Sequence, residues 1–151
     1  MTEVESVAAL GGLVGREVAL SEWVEVSQER IDQFAEATED RQWIHTDPER
    51  AARESPFKGT VAHGFLTLSL LSELMRLAVS VKDARMGVNY GLNRVRFVKP
   101  VPAGSRLRAR FRLAALEELR DGAQATWDVT VEREGKEKPC CIAEWLIRYY
   151  V

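Results

Sequence analysis

The segment from Phe65 to Val79 constrains the fold more than any other, because its apolar residues do not keep to one stripe. Phe65, Leu66, Leu68, Leu70, Leu71, Leu74, Met75, Leu77 and Ala78 cover most of a helix circumference, whereas a helix lying on a domain surface is apolar over one face only. Such a helix has to be enclosed. Ser69, Ser72, Glu73 and Arg76 interrupt the run between Gly64 and Val81, which favours enclosure by protein over a lipid bilayer. At 151 residues, 46% of them apolar, the chain can supply one sizeable core, and it is read as one domain over residues 1–151.

The second half of the chain supplies the enclosure. Strands are expected at Val88 to Val98, Arg106 to Leu113, Thr126 to Glu134 and Cys141 to Tyr150, divided by Pro100, Pro102, Gly104, Gly122 and Gly135. In the second of these, Arg106, Arg108, Arg110 and Arg112 alternate with Leu107, Ala109, Phe111 and Leu113, so one face is apolar and the other is a row of guanidinium groups. An antiparallel sheet with one apolar face, next to one nearly all-apolar helix, closes by curling round it. The class is α+β and the architecture is the hotdog arrangement, a sheet wrapped on a long buried central helix. Upstream, Glu17 to Val26 reads as a first strand. Ser27 is the N-cap of a helix with Ile31, Phe34 and Ala35 on one face, ending near Glu39, and Thr46-Asp47-Pro48-Glu49 opens a second short helix over about Pro48 to Arg53.

Charge excludes some partners. Lys and Arg number 21 against 23 Asp and Glu, a formal net charge of -2, so no bulk field draws the chain to nucleic acid or an anionic membrane. The arginine row suits either phosphate binding or cross-strand charge matching, and the carboxylates Asp128, Glu132 and Glu134 on a neighbouring strand favour the second. Cys140 and Cys141 are adjacent, which disfavours a disulfide within the chain and fits a reducing cytoplasm. The first twenty residues lack the basic start and apolar run of a signal peptide, so a soluble protein is expected.

Two short segments carry chemistry. Asp40 and His45 stand five residues apart in the gap between the first two helices, a carboxylate and an imidazole able to share one water near neutral pH. A loop carboxylate and a packed histidine would give the same pattern. Asp40 also follows the C-terminal end of a helix, where the macrodipole disfavours negative charge, so local electrostatics do not account for it. Gly59-Thr60-Val61-Ala62-His63-Gly64-Phe65 puts a glycine at the mouth of the buried helix, where free backbone N–H groups polarise a carbonyl and the missing Cβ permits close approach. A plain helix N-terminal Gly64 with a structural His63 would give the same segment. Ser72, two turns on, could orient a carboxylate, although a helical hydroxyl more often bonds its own preceding turn.

The run Asp40 to Ala51, followed by Gly59 to Leu71, resembles the hydratase signature of the MaoC-like dehydratases, the (R)-specific enoyl-CoA hydratase family, and most resembles its nodulation-protein-N-like branch. Asn89 to Phe97 and Pro100 to Gly104 match that branch's later strand and turn, so the similarity covers roughly Val26 to Leu113. The resemblance implies Asp40 and His45 as the catalytic pair, the Gly64 N–H as oxyanion donor to a thioester carbonyl, and Ser72 as a hydroxyl that positions Asp40. It implies trans-2-enoyl-CoA as substrate, no metal or other cofactor, and a homodimer. CoA phosphates would fall to one or two of Arg94, Arg96 and Lys99. Gln42-Trp43 stands where many members have Asn-Pro, a departure shared with the nodulation-protein-N-like branch, which leaves the catalytic spacing intact and the shape of the acyl pocket open.

Two other functions fit the same fold. A catalytically silent acyl-CoA-binding protein would bind without consuming the enoyl group. A thioesterase would use a carboxylate on the central helix, where only Glu73 is available. A dimer also follows from physics, since one wrapped sheet leaves two edge strands that proteins usually cover.

Overall fold

A computed structural model describes residues 1–151. Its main sheet runs in the order β2-β6-β7-β8-β5, with β3 also on β6. The strands are β2 (Glu17–Leu20), β3 (Val24–Val26), β5 (Met86–Phe97), β6 (Ser105–Leu119), β7 (Gly122–Arg133) and β8 (Cys141–Tyr150), and every pairing in this sheet is antiparallel. A second, parallel pair joins β1 (Thr2–Val4) to β4 (Val79–Val81), and a 3-10 turn spans Ala8–Leu13. The first expected strand is therefore two: Ser21 exchanges backbone and hydroxyl bonds with Ala109, and the chain breaks its ladder there before β3 resumes it.

The strand alternation decides what faces the core. Leu107, Ala109, Phe111 and Leu113 of β6, Trp127, Val129 and Val131 of β7, and Ala143, Trp145 and Ile147 of β8 are buried on one face. They join Ile31, Leu66, Leu71 and Leu74 in one cluster of 30 buried residues. On the outer face the arginines meet carboxylates: Arg106 with Glu134, Arg108 and Arg110 with Glu132, Arg110 also with Glu17, and Arg112 with Asp128. Charge matching, not phosphate binding, explains that row.

The central helix departs from expectation in two respects. It is α4 (Gly64–Ser69) and α5 (Leu71–Ala78), divided at Leu70, whose N–H is shared between the carbonyls of Leu66 and Leu68. The expected enclosure is also partial: Leu66, Leu70, Leu71, Leu74, Met75 and Ala78 are buried, while Phe65 is 69% exposed and Ser69, Ser72 and Arg76 face outward. That open side runs toward β5, the sheet's edge strand, whose Met86, Val88, Tyr90 and Leu92 are exposed apolar residues.

Ahead of this helix lie α1 (Gln28–Thr38), capped by the Ser27 hydroxyl on the Arg30 N–H, and α3 (Pro48–Glu54), capped by Asp47 on the Arg50 N–H. Between them the sequence reading left a gap. The chain fills it with one helical turn, α2 (Trp43–Thr46), which is too short to show a periodicity.

Candidate active site

Glu39, in the left-handed region at φ 64°, ends α1 and reverses the chain, which delivers Asp40 beside α2. His45 lies within α2 and is buried. Its Nδ1 lies 2.6 Å from the Val61 carbonyl oxygen, so Nδ1–H donates and Nε2 keeps its lone pair. The Val61 N–H in turn bonds the Ile44 carbonyl, and Gln28 Nε2 donates to the His45 carbonyl. Three elements thus fix one imidazole. Burial depresses the His45 pKa and His63 adds to the depression; the bond to Val61 and the charge of Asp40 oppose it.

His63 comes to the same place from the other direction. It is buried directly before α4, and its ring stacks on His45 with centroids 3.9 Å apart and 24° between planes. Its Nε2 donates to the backbone carbonyl of Asp40 at 2.9 Å, while its Nδ1 is buried without a partner. One side-chain donor atom from each of Asp40, His45 and His63 lies within 4.8 Å of the others. A shared metal ion does not fit. It would have to lie in both ring planes about 2.0–2.1 Å from each nitrogen, and planes stacked and tilted this little do not meet near either ring.

Gly64 follows at the N-terminus of α4. A Cβ there would come 2.9 Å from the Phe97 ring, so only glycine admits that ring over the backbone. Gly64 lines a pocket of about 350 Å³ with Ile44, Val61, Thr67, Phe97 and Val101 among others. Lys99, Pro100 and Cys140 belong to this pocket and also to a second hollow of about 510 Å³ beside the β7–β8 turn, which adds Arg133, Lys136, Lys138 and Glu137. The ion pairs of the chain include none of these four cations.

The structure thus brings together Asp40 and His45, next to the residue that precedes Gly64. It does not bring Ser72 to them within one chain. Eight residues at about 100° each carry Ser72 roughly 80° round the helix from Gly64. It lines a separate hollow with Leu68, Asn89, Tyr90, Leu92 and Trp145. Of the expected phosphate groups, Lys99 joins the basic hollow, whereas Arg94 lies with Asp128 and Glu144 on the outer sheet. Glu73 is held by Arg76 through two hydrogen bonds at the surface. Sequence reasoning missed His63 as a site residue and missed the hairpin lysines. The signal for His63 was its place beside Gly64 in a chain with only two histidines.

Comparison with known proteins bears on the family and the fold. Residues 10–135 match the family model described as "MaoC like domain". The chain is 51% identical over 150 residues to 3-hydroxyacyl-thioester dehydratase Z of Mycobacterium tuberculosis, covering 99% of each. It is 49% identical over 144 residues to Nodulation protein N of Rhizobium leguminosarum bv. viciae, covering 93% of this chain and 89% of that one. Among solved structures, the R-hydratase PhaJ1 from Pseudomonas aeruginosa superimposes with a TM-score of 0.77 at 21% identity, over 96% of this chain and 85% of that one, a likeness of fold.

Proposed function

The chain belongs to the MaoC-like domain family, and from that premise we propose that it is an (R)-specific enoyl-CoA hydratase, a hydro-lyase that adds water across trans-2-enoyl-CoA or removes it from the 3-hydroxyacyl-CoA. The observation that carries this reading is the meeting of the Asp40 carboxylate with a buried His45 whose Nε2 is unprotonated. In the proposed reaction one of this pair takes a proton from a water as its oxygen bonds to the β-carbon. The electron pair of the double bond moves toward the thioester oxygen, where the Gly64 N–H stabilises the enolate. The proton returns to the α-carbon, so the net addition is one water. No electron enters or leaves, and the residues assigned to the reaction call for no cofactor. The CoA is part of the substrate.

Support for a CoA ester comes from the basic hollow. Four unpaired cations, Lys99, Arg133, Lys136 and Lys138, line a hollow that adjoins the Gly64 pocket through Lys99, Pro100 and Cys140, and a phosphate-bearing carrier would lie there with its thioester toward Gly64. We read the 151 residues as one domain and the assembly as a homodimer. The exposed apolar edge β5 supports this, because such an edge is a hazard unless paired. Pairing there would also enclose the hollow that holds Ser72, whose role in orienting a catalytic carboxylate requires that second copy. No helix is long and apolar enough to cross a membrane; both cysteines are free thiols, which suits the cytoplasm.

The test is hydration of trans-2-enoyl-CoA esters of several chain lengths, followed at the enoyl chromophore, with chiral analysis of the 3-hydroxyacyl product. Loss of chromophore with (R) product is the expected result. Binding without turnover would leave a silent acyl-CoA binder, and an (S) product would overturn the stereochemical assignment.

A further inference from the structure

His63 has no established part in the chemistry, yet its surroundings are hard to explain as packing. A buried imidazole next to Phe34, whose ring centre is 4.9 Å away, sits where an aromatic hydrocarbon would be at home. It leaves Nδ1 buried without a partner, which carries a desolvation cost. Nor does the side chain cap α4, since no side-chain bond closes that helix start. Its one polar contact is the Nε2–H bond to the backbone carbonyl of Asp40, 23 residues earlier.

That contact joins the two halves of the site. Asp40 follows a left-handed residue at a helix end, and no ladder bond from a strand or helix holds its carbonyl. The residue that grips it is covalently adjacent to Gly64. The same ring lies flat against His45, whose other side-chain bond runs to Val61. One residue therefore holds the loop of Asp40, braces the plane of His45 and directly precedes the helix that begins with Gly64.

Taking Asp40 and His45 as the proton-transfer pair, we infer that His63 is a positioning residue, which holds Asp40 in register with His45 and Gly64 through the bond from Nε2–H to the Asp40 carbonyl. It touches no reacting atom. Its effect passes through Asp40, and that separates it from a residue that only fills space.

Two substitutions divide its functions. His63→Phe keeps an aromatic plate on His45 and loses the donor, while His63→Gln loses the plate and keeps an N–H at the reach of Nε2. On crotonyl-CoA, His63→Phe is expected to lower kcat by about tenfold to a hundredfold, as loss of an orienting bond commonly does, with KM within about twofold. His63→Gln is expected to recover most of kcat. In an Asp40→Asn background His63→Phe should cost less than about a further twofold, because the group it positions is gone. With His45 then the only histidine, its ring ¹⁵N shifts in His63→Phe should still report the Nδ1–H tautomer, showing that the site remains folded. A folded His63→Phe with unchanged kcat, or a loss fully additive with Asp40→Asn, would overturn the inference. If Asp40→Asn itself keeps near-normal activity, the assignment of Asp40 fails first and the inference goes with it.

Discussion

The outer face of β6 and the cluster of Asp40, His45 and His63 ahead of α4 both hold polar side chains at close quarters, and they do so in opposite settings. On β6, four arginines meet carboxylates in solvent, most of the partners being about half exposed. Each group could be hydrated instead, so each pair contributes little. At α4, His45 and His63 are buried, and each ring has one nitrogen committed to a backbone carbonyl. There the alternative to a correct bond is no bond at all. The difference lies in exposure, not in the kind of residue: the same polar chemistry faces water on the sheet and, in the proposed reaction, sets the geometry of the cluster.

The largest effect should come from the proposed proton-transfer pair. Asp40→Asn and His45→Gln are each expected to lower kcat for crotonyl-CoA hydration by about a hundredfold or more without unfolding the protein. Because both act on one water, the double variant should be little worse than the poorer single one. Independent, multiplying losses in steady-state kinetics would mean that the two do not share a water.

Next comes Gly64→Ala. The new Cβ would meet Phe97 at 2.9 Å, but Phe97 is about half exposed and can turn aside, so the stability loss should stay near about 1 kcal/mol. The rate should fall more, by about tenfold, because the ring and the backbone N–H would no longer share one geometry. Melting temperature and kcat measured on the same preparation separate the two. An unaltered rate would remove Gly64 from the site.

The pH response is smaller and its sign is fixed. Burial first, then His63, holds His45 below its ordinary value of 6.5. In the proposed reaction the neutral ring is the working form, so the acid limb of kcat/KM should have its midpoint below 6.5. For stability, the unfolded chain takes up the proton first. The contribution of His45 is therefore whole above about 6.5, declines as pH falls toward the depressed folded value, and is constant below it. Urea titrations across that window should show the decline, and a midpoint at or above 6.5 would contradict the buried neutral ring.

Smallest is the outer row. Arg112→Gln removes a pair whose two side chains are 51% and 49% exposed, and should change stability by less than about 1 kcal/mol and activity not at all. A larger loss in urea unfolding would show that the ladder acts as a network and would narrow the contrast with the buried site.

The same contrast explains what the sequence made legible. The arginine row announced itself by period two, and the carboxylates opposite it fell where alternation put them. Its visibility came from repetition, which reports a surface and not a task. Asp40, His45 and Gly64 could be singled out through spacing and resemblance, because they fall in or at the end of short gaps between helices. His63 was visible as a letter but not as a contact, since a bond to a backbone carbonyl 23 residues away leaves no mark in a side-chain pattern. The break at Leu70 was hidden for a related reason: a shared N–H bond is a matter of backbone geometry, and leucine suits either half of the helix. Ser72 was placed by counting turns, and the remaining rotation sent it to the β5 side. The four cations of the hairpin hollow come from two separate segments and only the fold sets them round one space.

Cys140 lines the pocket that holds Gly64, and burial pushes its thiol up to about 12. An α,β-unsaturated thioester is a Michael acceptor, so a thiolate in that pocket would compete with water for the β-carbon and alkylate the enzyme with its own substrate. At neutral pH a thiol of that acidity is ionised in only about one molecule in 10⁵. Its neighbour Cys141 is held up to about 11 by the same burial. The apolar packing that keeps the sheet closed also favours the un-ionised form of both thiols, and in the proposed hydratase a polar substitution that opened the floor of the pocket is expected to raise alkylation by substrate.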